Sequence, residues 1–254
     1  MKLTDQVAVV TGASAGIGRA IAKLYVQQGA KVIGIGNHNM AGVESLVDET
    51  QHEPGEMTAF HADVSQRQDV EKMLDLALDK YGRLDILVNN AGVLDKMTPV
   101  GELEDSLWEM VISIDLNGVM YACRRAVQIM QKQQRGVILN MSSVCGVQGG
   151  RGGAAYTAAK HAIVGLSKNI GSMYADQGIR CNVLCPGSVL TDMTTKGMDD
   201  ANKFGLEKAI AGLKANHRAG TPEEIASIAL FLVSEEAKFI NGAAIIADSG
   251  WCAY

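Results

Sequence analysis

The sequence predicts an α/β fold: one doubly wound sheet of about seven parallel strands with helices on both faces. Three observations lead there. Short apolar runs of strand length alternate with amphipathic stretches of helical period along the whole chain. The strand runs are nearly continuous in apolar character, the pattern of strands covered on both sides. The first of them also empties into a glycine-rich turn that opens a helix.

The elements follow in order. A strand over 7–10 (Val7, Val9, Val10) leads to a helix over 16–28, and a strand over 31–35 to a helix over 40–50. A strand over 57–61 precedes a helix over 67–81, and a strand over 86–89 precedes one long helix over 107–133. Strands over 136–141 and 180–185 flank a helix over 155–177; a helix over 222–234 and a strand over 243–246 close the chain. Seven strands separated by six helices make one doubly wound sheet. Without an internal repeat, low-complexity tract or Pro/Gly-rich linker, residues 1–254 read as a single domain. The least regular segment, 188–217, carries Lys196, Gly197 and acidic or amide residues around Asp199; it reads as a helical substrate flap or, equally, as a surface insertion.

The 254 residues are 47% hydrophobic and 20% charged, enough for one sizeable core. With a net charge of −5, nothing in the composition suggests a nucleic-acid footprint or an anionic-membrane surface. There is no run of ~18 apolar residues to span a bilayer. The start, Met1-Lys2-Leu3-Thr4-Asp5, turns polar at once and does not read as a signal peptide. Five cysteines form no disulfide framework and suit the reducing cytoplasm. Cys181 and Cys185 fall in one strand, ~13 Å apart, too far to share a metal. The five histidines have no ligand spacing either, so no metal site is expected.

Function enters with the turn after the first strand, Thr11-Gly12-Ala13-Ser14-Ala15-Gly16-Ile17-Gly18. Gly12, Gly16 and Gly18 let the backbone turn tightly and approach a pyrophosphate, while the helix start (Gly16, Ile17) offers unpaired N–H groups and a partial positive charge. Further along come Ser143, Tyr156 and Lys160. The last two share a helix face one turn apart, with Cβ atoms ~6 Å apart. An ammonium there stabilises a phenolate and lowers the tyrosine from its reference of about 10, which suits proton exchange with an alcohol or carbonyl. The loops Asn89-Asn90-Ala91-Gly92 and Pro186-Gly187 follow strands too, so four loops converge on the crevice where such sheets bind ligands.

Together these residues resemble the short-chain dehydrogenase/reductase family, classical type, over essentially the whole length; the glycine spacing, Gly-x-x-x-Gly-x-Gly, is that of the family. The resemblance implies a Rossmann-type fold and hydride transfer between NAD(P) and a CH–OH group. It selects Ser143 over Ser142, thirteen residues before the tyrosine. It implies adenine contacts from Asp63 and Val64, a ribose-lining loop of Asn89, Ala91 and Gly92, and nicotinamide contacts from Pro186, Gly187, Val189 and Thr191. Lys160 would also bond the nicotinamide ribose. Where family members carry an asparagine whose backbone carbonyl holds a water against the lysine, this chain has Asp115, a charge that would alter how Lys160 tunes Tyr156. Family members form tetramers through the two long helices and the last strand, so a homotetramer is expected.

The place of the acid that binds the ribose 2′-hydroxyl in NAD enzymes falls on Gly36, and no acid stands at 36–39. The arginine usual in NADP relatives is absent as well, at Asn37. Ser14, Asn37, His38 and Arg19 as phosphate partners tip the expectation to NADP over NAD. Cys145, Gln148, Ser188, Met193 and Met198 are expected to face the substrate, and the glycines at 146, 149, 150, 152 and 153 to leave a roomy entrance. A secondary alcohol or ketone, a hydroxysteroid or a 3-oxoacyl thioester would fit, which keeps a 3-oxoacyl carrier-protein reductase as the alternative. A non-catalytic dinucleotide sensor would need a broken Ser/Tyr/Lys set, and a sugar-nucleotide epimerase or dehydratase an additional substrate domain.

Overall fold

The computed structural model describes residues 1–195 and 200–253. Its seven strands are β1 (Val7–Thr11), β2 (Lys31–Gly36), β3 (Glu56–His61), β4 (Ile86–Asn89), β5 (Gly136–Met141), β6 (Ile179–Pro186) and β7 (Ala244–Ala247). All adjacent pairs are parallel, in the order β3-β2-β1-β4-β5-β6-β7. The order reverses between β1 and β4, which opens a crevice at their C-terminal ends.

Both faces of the central strands are dry because both are covered. Val7, Val9, Ile33, Ile35 and Leu87 face the helices α3 (Arg67–Tyr81), α5 (Val119–Gln133) and α6 (Ala154–Met173). Ala8, Val10, Val32, Ile86 and Val88 face α1 (Gly16–Gln27), α2 (Met40–Glu49) and α9 (Pro222–Val233). A strand with apolar neighbours above and below needs no polar alternation, which explains the continuous apolar runs.

The helix expected over 107–133 is not one helix. It divides into α4 (Asp105–Ile112), a π turn over Ser113–Gly118, and α5. Apolar periodicity continues through the break, so local pattern does not reveal it. The widened turn carries Asp115 wholly inside the protein, where the Val93 N–H donates to its Oδ1 at 2.8 Å. The segment 188–217 holds α7 (Asp192–Thr195), α8 (Lys203–Ala211) and a short 3₁₀ turn, Leu213–Ala215. It docks on the loop after β4: Asn202 N–H donates to the Lys96 carbonyl at 2.8 Å, and Gly205 lies so close that a Cβ would fall 1.8 Å from the Met97 carbonyl oxygen. The expectations placed on Lys196, Gly197, Met198 and Asp199 lie outside the described residues. Among the described residues no helix is long and apolar enough to cross a membrane, and no group of His, Cys, Asp and Glu is arranged to hold a metal.

Candidate active site

At the end of β1 the chain reverses through Gly12 (φ +68°) and Gly16 (φ +55°), conformations that favour glycine. Helix α1 starts behind them with Ala15 as its cap, which offers no side-chain acceptor, and its first turn has no acid. The opening N–H groups of α1 are therefore left to an anion from outside the chain. Gly18 faces inward: a Cβ there would lie 2.3 Å from the Gly12 carbonyl oxygen, so this glycine seats helix on turn. The loop after β4 is fastened alongside, with Asn90 N–H and Ala91 N–H both donating to Thr11 Oγ1 (2.9 and 3.0 Å) and Asn90 Nδ2 donating to the Thr11 carbonyl at 3.0 Å.

These elements border a groove of about 300 Å³ lined by Gly12, Ser14, Gly16, Ile17, Ala91, Gly92, Pro186, Gly187, Val189 and Thr191, with Ser143, Tyr156 and Lys160 at one end. A glycine turn, free helix N–H groups and an adjoining polar loop fit the diphosphate and ribose of a dinucleotide. A second pocket, of about 270 Å³, meets the groove at Ser143, Tyr156, Gly187, Met193 and Thr194. It is walled by Leu94, Met97, Val144, Cys145, Leu206, Ile210, Leu213 and Trp251, with Asp95, Arg151 and Ser188 as its polar members.

At the junction, Ser142 and Ser143 part ways. Ser142 Oγ donates to the Lys160 carbonyl at 2.9 Å and is committed to the fold. Ser143 Oγ accepts from the Cys145 N–H at 3.2 Å and borders both cavities. Lys160 Nζ is 5.1 Å from the Tyr156 ring centroid, 3.4 Å from the Met141 carbonyl oxygen and 3.0 Å from Asp115 Oδ2. Gly92 lies over that ion pair: a Cβ would be 2.8 Å from Asp115 Oδ2 and 3.3 Å from Lys160 Nζ. Helix α6 has no side-chain cap of its own at Gly153. Asp95 supplies one from across the pocket, accepting from Gly153 N–H (3.2 Å) and Tyr156 N–H (2.9 Å).

Electrostatics correct one expectation. Burial pushes the Tyr156 phenol up to about 12, more than the Lys160 ammonium pulls it down, and Cys145 and Asp115 add to the rise. Burial works against the ammonium of Lys160, but Asp115 and Tyr156 outweigh it and the lysine sits above its ordinary value. Burial also raises Asp115, against the pull of Lys160. The Lys160 ammonium is shared between the phenol and the Asp115 carboxylate.

Several expected contacts fall elsewhere. Asn89, the last residue of β4, turns into the protein and donates to Asn140 Oδ1 at 2.8 Å; its neighbour Asn90, which was not singled out, borders the groove. Asp63 accepts from Ser65 N–H and Oγ (2.9 and 2.8 Å), Val64 packs its carbonyl on Gly118, and neither they nor Gly18 line the groove; Asn37 also stands outside that lining but directly after β2, on the same C-terminal edge of the sheet. Asp115 lies beneath the groove rather than in its wall. Arg19 is held by Glu49 and the Gly42 carbonyl. Gln148 does not border the substrate pocket, where Cys145, Ser188 and Met193 do. Gly149 and Gly150 have open space around them, while Met97, Arg151, Leu206, Ile210, Leu213 and Trp251, brought from four distant segments, wall the pocket.

Comparison with known proteins agrees with this geometry. The family model described as Enoyl-(Acyl carrier protein) reductase matches residues 12–252. A 3beta-hydroxysteroid dehydrogenase 2 of Eggerthella lenta is 43% identical over 253 residues, covering 99% of this chain and 96% of the relative. A 3-oxoacyl-acyl-carrier-protein reductase of Thermotoga maritima is 36% identical over 250 residues, covering 98% and 99%. The crystal structure of a putative NAD(P) dependent gluconate 5-dehydrogenase from Beutenbergia cavernae, with NADP bound at low occupancy, superposes with a TM-score of 0.88 at 34% identity, covering 100% and 99%. The chain belongs to the short-chain dehydrogenase/reductase family. It is an NAD(P)-dependent oxidoreductase that transfers a hydride between the nicotinamide and an alcohol or ketone carbon.

Proposed function

We propose that the chain interconverts a secondary alcohol and its ketone on an apolar ring scaffold of hydroxysteroid type, with NADP preferred to NAD. The observation that carries this reading is the position of Tyr156, which borders both the dinucleotide groove and an apolar pocket. When bound, the nicotinamide supplies or takes the hydride. Gly12, Ser14, Gly16 and Ile17 would hold the diphosphate; Asn90, Ala91 and Gly92 the riboses; Pro186, Gly187, Val189 and Thr191 the nicotinamide. The pocket under 188–217 would take the substrate, with that segment as its flap.

Tyr156 donates a proton to the substrate oxygen in reduction and accepts one in oxidation, while Ser143 Oγ hydrogen-bonds the same oxygen. With the phenol at about 12, Tyr156 is protonated at neutral pH, which favours carbonyl reduction there. Lys160 orients the ribose and stabilises the phenolate, and Asp115 holds Lys160 in place. NADP preference rests on the missing acid at 36–39 and on Ser14, Asn37 and exposed His38 as phosphate partners. Gly36 is also crowded: a Cβ would lie 2.8 Å from Val43 Cγ2 and 3.1 Å from Met40 Sδ.

We place the protein in the cytoplasm as a homotetramer. Its five cysteines are unpaired, and Phe231, Phe239 and Ile246 expose apolar surface along the α9–β7 edge. The Thermotoga relative favours reduction of a 3-oxoacyl thioester as a second reading. An acidic carrier protein would want a basic docking patch; of the adjacent pair Arg124 and Arg125, Arg125 is already paired with Asp75, which weakens that site. The test is a panel of oxosteroids, ring ketones, their alcohols and a 3-oxoacyl thioester with each cofactor, read as absorbance of the reduced nicotinamide. Ring ketones turned over best with NADPH support the reading; thioester turnover alone overturns it.

A further inference from the structure

We propose that Arg151 recognises a carboxylate carried by the substrate at the end remote from the reacting carbon, an inference that rests on the alcohol/ketone reading above. Arg151 lines the same pocket as Ser143 and Tyr156. Its guanidinium lies over the Trp251 ring, 4.2 Å from the centroid. On another side it meets Gly212, where a Cβ would fall 1.7 Å from Nη1. Trp251 is itself fixed, its Nε1–H donating to the Gly212 carbonyl at 2.8 Å. A guanidinium stacked in this way has little freedom left to lose when it binds an anion.

Its hydrogen-bonding capacity is unspent. The other half-buried arginines are all engaged: Arg19 by Glu49, Arg83 by Asp85, Arg125 by Asp75, and Arg180 by the carbonyls of Leu232, Ser234 and Ile240. Among the described residues Arg151 has no carboxylate in ion-pair reach and no hydrogen-bond acceptor. The one carboxylate of the pocket, Asp95, is occupied by the two N–H groups at the start of α6.

A half-buried cation without a partner, set in a wall of Leu94, Met97, Leu206, Ile210 and Leu213, suits an apolar body that ends in an anion. The planar fork matches a carboxylate in charge and geometry; a phosphate would bring a second negative charge that nothing in this wall neutralises. Arg151 therefore sets specificity and takes no part in the proton transfer.

The experiment measures KM and kcat for a cyclohexanone carboxylate, a biaryl-length keto acid and an oxosteroid carboxylate, each beside its methyl ester. The wild-type protein and Arg151→Met are compared, with thermal midpoint and nicotinamide binding as controls. We expect at least one acid to have a KM about tenfold or more below its ester, the scale of a charge-assisted hydrogen bond. Arg151→Met should raise that acid's KM to the level of the ester, closing the gap between the two, with both controls in place. Esters and acids turned over alike by the wild type, a comparison that needs no variant, overturn the inference and leave the alcohol/ketone reading standing. Equal losses for acid and ester in Arg151→Met overturn it too, since a purely structural clamp would act that way. Absence of turnover with every ketone overturns both readings.

Discussion

Asp115 Oδ2 lies 3.0 Å from Lys160 Nζ, in an ion pair whose members expose 0% and 5% of their side chains. So dry a pair is held tightly, because separating it would leave a buried charge without a partner. The carboxylate opposes what the ammonium does for Tyr156: a negative neighbour disfavours the phenolate, and Asp115 raises the tyrosine.

Asp115→Asn removes that push, so the Tyr156 pKa falls. In the alcohol-oxidising direction, where activity climbs as the phenol loses its proton, the rising limb of kcat/KM should move to lower pH. Measured pH–rate profiles that superimpose for both proteins would remove the carboxylate from any part in the tuning.

Gly92 is the cover of the ion pair. A methyl group in Gly92→Ala would press on Asp115 Oδ2 at 2.8 Å and has no flexible tip to yield, since the carboxylate is also held by Val93 N–H. A displacement of this kind costs about 10²-fold in turnover. Steady-state kinetics measured well below the variant's own thermal midpoint would show it; wild-type turnover would contradict it.

How much of this was legible in the sequence varies by residue. The turn at Gly12–Gly18 and the Tyr156/Lys160 pair could be read because each is a local pattern with one geometric consequence. The seven parallel strands followed from apolar runs that only a doubly covered sheet explains. Asn89 was read as a groove residue although strand alternation points it inward to Asn140; the period of two carried the signal that favours Asn90. The π turn at Ser113–Gly118 left no mark because the apolar spacing runs on through it. Arg151, Gly212 and Trp251 meet only after folding, and no spacing rule joins them.

Asp95 fastens the helix that carries Tyr156 to the loop that carries Gly92. Asp95→Ala strips the start of α6 of its acceptor, which should cost about 1–2 kcal/mol of stability in a urea titration. It should also lower kcat more than it raises KM, because the tyrosine backbone is released while the pocket walls remain. A change in KM alone would contradict a positioning role.

Asn37→Asp places a negative charge beside the expected 2′ position without entering the crowded space at Gly36. Repulsion of a 2′-phosphate should reduce the NADP/NAD ratio of kcat/KM by about tenfold or more. Parallel titrations with both cofactors measure it; an unchanged ratio would place the 2′ position elsewhere.

The central claim is that the Tyr156 hydroxyl exchanges the proton. Its most direct test is single-turnover reduction of a ring ketone by Tyr156→Phe, alongside fluorescence titration of the reduced nicotinamide. The account predicts hydride transfer slowed by about 10² or more with cofactor affinity retained. Transfer at the wild-type rate would contradict it.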